Sequence, residues 1–325
     1  MPTTMQTNNP GPKTRFAGLA IPRWIFFSLL TIILYGFMGL AAKFASDKIS
    51  PITVQVISTM GMIPTVVILF FSRNLRVVHG KFKVGVGYAL LVGIVTAIAA
   101  ISMFSAFNEG GPASVVVPIN SMASLVTVLL AWYFFREKLN IYQMTGVVLS
   151  IIAIILFNSE GNGTLVDTLP WYKTIVSNWM LLALLSLLAA GTAQFFMKAA
   201  TNHISADLVT FIVMVVFIFL AGILIFTDSF SWNMSLKDLI ASLLVGVLGS
   251  VAFLTNTVAY SSGMASLVAP LCSLFPVITV LLAVPILGEK LTWLIILAVI
   301  ISSIAGFALS IEKPPAGEMN ANTLD

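Results

Sequence analysis

Residues Gly110–Leu139 read GGPASVVVPINSMASLVTVLLAWYFFREKL, and Ser262–Leu291 read SGMASLVAPLCSLFPVITVLLAVPILGEKL. Laying Gly111 on Gly263 is a shift of 152 residues and makes 14 of the 29 pairs through Leu139 and Leu291 identical. The matches include Pro118 with Pro270, Ser121 with Ser273, Thr127 with Thr279 and Glu137 with Glu289. An apolar composition inflates identity, but it does not produce matched prolines or a matched Glu-Lys-Leu ending. The stretch is a duplicated membrane helix.

The repeat reaches further. A shift of 155 residues pairs Trp24 with Trp179, Gly36 with Gly191, Lys43 with Lys198 and Ile49-Ser50 with Ile204-Ser205. The change of shift falls between the second and third apolar segments of each copy, as duplication and fusion with one short insertion would leave it. With 59% hydrophobic and 9% charged residues in 325, two soluble domains are excluded. Apolar runs of roughly 20 residues, each able to cross a hydrocarbon core, recur along the chain. They lie near 24–46, 52–71, 84–107, 113–135 and 141–157, then 179–200, 208–226, 239–260, 265–287 and 293–311. The expected fold is therefore an all-α integral membrane protein with ten transmembrane helices in two repeats of five. Its parts are an N-terminal tail (1–22), a first repeat (23–157), an external linker (158–178), a second repeat (179–311) and a C-terminal tail (312–325). The tail 1–22 has no apolar core of a cleavable signal, so the first apolar segment is expected to stay and to act as the insertion signal.

Lysines and arginines set the orientation. With the N-terminus inside, eleven lie on the cytoplasmic side and five outside, which puts both termini in the cytoplasm. Five helices per repeat is an odd number, so the two repeats enter the membrane in opposite senses. Inverted repeats are characteristic of secondary transporters, which bind their solute near the midplane.

The PASVVVP and ASLVAP segments, the REKL and LGEKLT endings and the five-plus-five arrangement resemble the drug/metabolite transporter superfamily, and within it the EamA-like family. The resemblance spans Trp24 to Ile311. It implies a carrier of amino acids, other metabolites or drugs in an inner (plasma) membrane. It also implies a central cavity lined by the first, third, fourth, sixth, eighth and ninth helices. The first copy reads FREKL where the family's usual form is LGEKL.

Several polar groups stand out against this apolar background. Pro118 and Pro270 each remove a backbone donor inside a span, so each marks a helix break or hinge, or else a kink without function. Asn120, Ser124 and Thr127 share one helical face, which either lines a cavity or joins helices. Asn120 is the first choice for a solute contact, because a buried amide has both donors and an acceptor to satisfy. Gln194, in mid-span, is the second. Asn256 and Tyr260 share a face of the eighth helix, with Asn108 as the repeat partner of Tyr260. Ser28, Thr31, Tyr35 and Gly39 form a small polar face on the first helix, matched by Ser186, Ala190 and Gln194 on the sixth. Among ionisable groups, Glu109, Lys43 and Lys198 are the candidates for ion or proton coupling. For both lysines the competing reading is snorkelling to the interface. Glu137 and Glu289 read as turn charges placed before the N-termini of the next helices, with Asn140 and Thr292 as the N-caps.

Other chemistry finds no residues to carry it. His79 and His203 lack metal spacing, Cys272 is the single cysteine, and no phosphate-cradling or nucleophile motif is present. No cofactor, metal, catalytic group or nucleic-acid partner is expected. The expected partners are a small-molecule solute and the lipid bilayer. The leading reading is a secondary transporter of small polar or amphipathic metabolites, with amino acids or related solutes first. The alternative is a membrane assembly or regulatory subunit that transports nothing, whose polar faces would close into dry contacts.

Overall fold

The computed structural model describes residues 13–16, 19–72, 75, 77–78, 80–135, 140–161, 178–262, 268, 271–289 and 291–311. Ahead of the first span, β1 (Lys13–Phe16) and β2 (Leu19–Pro22) pair as a short antiparallel ribbon in the stretch read from sequence as a tail. The rest is helical: α1 (Arg23–Ser46), α2 (Pro51–Phe70), α3 (Phe82–Asn108), α4 (Ala113–Ser121), α5 (Ala123–Phe135) and α6 (Ile141–Gly161). The second half contributes α7 (Asn178–Thr201), α8 (Ala206–Leu224), α9 (Leu236–Ser262), α10 (Phe275–Leu287) and α11 (Trp293–Ser310). Among the described residues, seven helical stretches are long and apolar enough to cross a membrane, counting α4 with α5 as one. Three shorter apolar helices, Ile141–Phe157, Phe275–Leu287 and Trp293–Leu309, accompany them. This is a multi-pass helical membrane protein.

Helix starts are set by the residues that the repeat duplicates. Ser50 accepts from Thr53 N at 3.1 Å, and its repeat partner Ser205 accepts from Leu208 N at 3.2 Å. Each thereby satisfies an otherwise orphaned first-turn donor. Asn140 and Gln143 form a reciprocal capping box, with bonds of 2.8 and 3.1 Å. Thr292 caps α11 from the position equivalent to Asn140.

Each half leans on the other. α1 packs chiefly on α9 and α10, and its repeat partner α7 chiefly on α3 and α5. α2 meets α9 and α8, α8 meets α3 and α2, and α6 lies along α11. Exchanging every helix for its repeat partner leaves that pattern of neighbours unchanged. Where repeat partners touch, they run antiparallel. Asn140 at the start of α6 donates to the carbonyl of Ile311 just past α11 at 2.6 Å. Ser72 after α2 donates to Asp207 at the start of α8 at 2.9 Å, while Thr53 at the start of α2 accepts from Ser231 N beyond α8 at 3.2 Å.

Small residues let these helices approach closely, the usual way of associating in lipid. Gly246 of α9 lies on the carbonyl of Ser58 and Gly61 on that of Leu243, so α2 and α9 cross backbone to backbone. The same crossing carries a Thr65–Ser250 hydroxyl pair at 2.8 Å.

Candidate functional site

The stretch Ala113–Phe135 is broken in the middle, and the second copy of the repeat is broken at the equivalent place. α4 ends at Ser121 and α5 begins at Ala123; between them Met122 N bonds Ile119 O at 3.1 Å and Leu125 N bonds Met122 O at 2.9 Å. In the second copy Leu274 N bonds Leu271 O at 3.2 Å and Val277 N bonds Leu274 O at 3.1 Å. These are tighter i to i+3 bonds, and each sits one repeat length from its counterpart. Met122 (φ −78°, ψ 11°) and Leu274 (φ −80°, ψ −2°) have nearly the same backbone. Mid-helix stretches of this kind occur at hinges and at strained sequence alike.

Pro118 is buried inside α4, so the chain does not part at the proline itself. The hydroxyl of Ser121 donates to Pro118 O at 2.7 Å, and Met122 N turns to Ile119 O instead. The break is thus made by Ser121, three residues beyond the proline. Pro270 lies outside the described residues.

The face bearing Asn120 and Thr127 points at α7. Asn120 Nδ2 donates to Ser186 Oγ at 2.9 Å and lies 3.3 Å from Met103 Sδ, while Ser186 Oγ donates to Ala99 O at 2.8 Å. One amide therefore ties α4 to α3 and α7. At the equivalent place in the other half, Thr31 and Thr255 share a hydrogen bond of 2.9 Å, and the Ser28 hydroxyl lies by the Cys272 thiol. A second seam is duplicated almost atom for atom. Thr127 Oγ1 donates to Gly191 O at 2.9 Å and Thr279 Oγ1 to Gly36 O at 3.0 Å. A Cβ on Gly191 would strike Val126, and one on Gly36 would strike Ile278, its repeat partner. Thr127→Val and Thr279→Val should each lower stability by about 1 kcal/mol, the worth of one buried hydrogen bond. Thermal melts of the two single variants and the double should show near-equal, additive shifts. A shift confined to one half would sink the equivalence.

The other sequence candidates fall in different settings. Ser124 Oγ and Asn256 Oδ1 are buried without a hydrogen-bond partner, so both can still accept. Gln194 is exposed at the helix surface, with Oε1 3.4 Å from Thr127 Oγ1. Tyr35 packs on Phe275 with ring centroids 5.5 Å apart. Asn108 closes the end of α3 on the α1–α2 turn by donating to Ser46 O (3.0 Å) and Ile49 O (3.3 Å). Lys43 Nζ donates to Phe107 O at 3.1 Å, a cation on a helix C-terminus. Glu109 is exposed just beyond α3. The side chains of Tyr260 and Lys198 lie outside the described residues.

Two features escaped the sequence. Glu289 does not serve the start of α11 that follows it. Its two carboxylate oxygens accept from Ala113 N (2.7 Å) and Ser114 N (2.9 Å) at the start of α4, in the other half. Glu137 lies outside the described residues. Gln55 of α2 is 2% exposed; its amide nitrogen bonds Thr59 Oγ1 at 3.3 Å, and Oε1 has no partner. An amide set in the apolar run PITVQVI was the signal for it, the same signal that singled out Asn120.

A model of the EamA-like transporter family matches residues 22–159 and 177–311, one match per half. The chain belongs to the EamA-like transporter family. The family is one of membrane transporters of the drug/metabolite type and points away from enzymatic chemistry. An uncharacterized protein of Methanocaldococcus jannaschii is 31% identical over 134 residues, 41% of this chain and 95% of that protein. That relative is thus about the size of one half of this chain. A crystal structure of a protein 16% identical superposes with a TM-score of 0.59 over 88% of this chain and 95% of its own, a likeness of fold alone.

Proposed function

We propose that this EamA-like protein is a secondary transporter, moving small polar or amphipathic metabolites by alternating access between two inverted five-helix repeats. The observation that carries the reading is the pair of breaks at Ser121–Met122 and Ser273–Leu274, in register across the repeats. Discontinuous helices near the midplane expose backbone to a solute and supply hinges. The antiparallel run of α6 against α11, and of α2 against α8, supports inversion of repeats 23–157 and 179–311 about the linker 158–178. It also supports ten spans. Tails 1–22 and 312–325 then share the cytoplasmic side of an inner membrane.

Amino acids and related solutes are the leading substrates, chiefly on the strength of the family resemblance. Gln194, Asn256, Ser124, Tyr35 and Tyr260 are the proposed contacts. Asn120 holds α4 in place and meets the solute from the break, with Pro118 and Pro270 shaping the two broken spans. Asn108 frames the end of α3. Glu109, Lys43 and Lys198 are the groups available for ion coupling.

Proteoliposomes offered a panel of labelled amino acids provide the test. Uptake should exceed that of protein-free vesicles for at least one solute. Asn120→Ala and Gln194→Ala should lower it by about tenfold, the equivalent of one lost hydrogen bond to a polar solute, with expression unchanged. Parent-like transport by both variants removes the site assignment. A panel in which no solute moves and none raises the melting temperature removes transport, and favours a closed assembly subunit.

A further inference from the structure

α4 is a short segment between two points of backbone freedom. At one end the chain turns through Gly110, whose φ of 90° is left-handed, and Gly111, whose N–H bonds Ala106 O at 2.9 Å. A Cβ on Gly111 would lie 2.7 Å from that same carbonyl oxygen. At the other end lies the break at Met122. Between them α4 has no cap of its own, because its N-cap residue is Pro112 and no side chain of the preceding turn bonds its first donors.

The missing cap comes from the other half. α10 stops at Leu287, with Gly288 at φ 67° closing onto Val284 O at 3.1 Å. The left-handed residue turns the chain out of the helix and delivers Glu289 to the start of α4. Both oxygens then take backbone donors of α4, in the bidentate, charge-assisted manner that suits a helix N-terminus. α4 also packs along α10, with Val115, Val116, Val117 and Ile119 in one core with Val280 and Ala283. Lys43 of α1 is in electrostatic range of Glu289 and Asp47, so the ends of α1, α3, α4 and α10 meet at this one point.

We propose that Glu289 is the latch of a gate. Its carboxylate holds α4 against the α10–α11 turn, and its release lets α4 and α10 part at that end of the bundle while the breaks at Met122 and Leu274 act as hinges. The inference rests on the transporter reading for its purpose, but its geometry can be tested without any solute. Glu289 is only half-buried, so on release the carboxylate passes to water and the latch is reversible.

A single-cysteine probe tests it. Val117→Cys in a Cys272→Ser background places a thiol where the parent's Val117 side chain is 2% exposed, near Gly39 of α1. Thr227→Cys, in the same background, marks the sidedness, because the α8–α9 loop bonds the α1–α2 turn through Ser50 and Ser229 at this same end. A membrane-impermeant maleimide is applied to each face of sealed proteoliposomes. Adding Glu289→Ala should speed labelling of the Val117→Cys probe by about tenfold, and only from the face that reaches position 227. Glu289→Gln keeps an oxygen acceptor and loses the charge, so it should fold like the parent and speed labelling by about threefold. Labelling rates equal to the parent in both variants overturn the latch. So does a rise from both faces together with a lowered melting temperature, which would mean a loosened fold. A failed solute panel with accelerated labelling would remove transport and leave the latch standing.

Discussion

Gly246→Ala should leave little folded protein. A Cβ at that position would fall on the carbonyl oxygen of Ser58 and within 3.0 Å of the Cα of Gly61. A flexible side chain can swing away from such an atom, but a carbonyl inside a helix cannot. α2 and α9 would have to separate, losing the Thr65–Ser250 bond along with the close crossing. Overpacking of this kind destabilises by about 3 kcal/mol or more when backbone is the obstacle. The measurement is the monodisperse fraction in detergent, with the melting temperature of what survives. Gly222→Ala is the control, because nothing lies within 4 Å of a Cβ there. It should hold or gain about 1 kcal/mol from helix propensity. If Gly246→Ala melts with the parent, the two helices do not cross as closely as described.

The duplicated architecture was legible because the residues that repeat are the ones that hold it. Ser50 and Ser205 cap, Gly36 and Gly191 are crossed, and Thr127 and Thr279 donate to those same glycines. Each of these demands a particular small or polar residue, so each survived in both copies as an identity in an apolar background. The placement of the break was less legible. Proline removes one donor, which a sequence shows, but the helix continued past it until the Ser121 hydroxyl took the Pro118 carbonyl and Met122 N turned to Ile119 O. Ser121 and Ser273 were visible as a matched pair, and only the geometry shows that Ser121 sits at the break through its bond to Pro118 O.

Side-chain pairings at long range were the least legible. A carboxylate just before a helix suggests a charge for that helix's dipole, and Glu289 instead accepts from the first donors of α4. Its true partner lies 176 positions away, and no local rule reaches it. Asn120 illustrates the same limit. Its amide was singled out by residue type alone, but its bond to Ser186 could not be read, and that bond gives it a positioning duty beside any contact with solute.

The first half expressed alone, cut within the linker 158–178 between α6 and α7, should fail to fold, and co-expression with the second half should rescue it. α1, α2, α3 and α6 each find their main neighbour in the other half, and contacts among α1, α2 and α3 are slight by comparison. Alone, the half would expose the Gly36 and Gly61 faces and leave the Asn120 amide without Ser186. Lipid can cover the apolar surface, but it cannot satisfy that amide or the Thr127 hydroxyl. A tag on one half should therefore retain the untagged other half through purification, and the pair should melt within a few degrees of the intact chain. Monodisperse first half alone, melting like the intact chain, would show that the repeats are independent domains and would undo the interlocked arrangement on which the proposed alternating access rests.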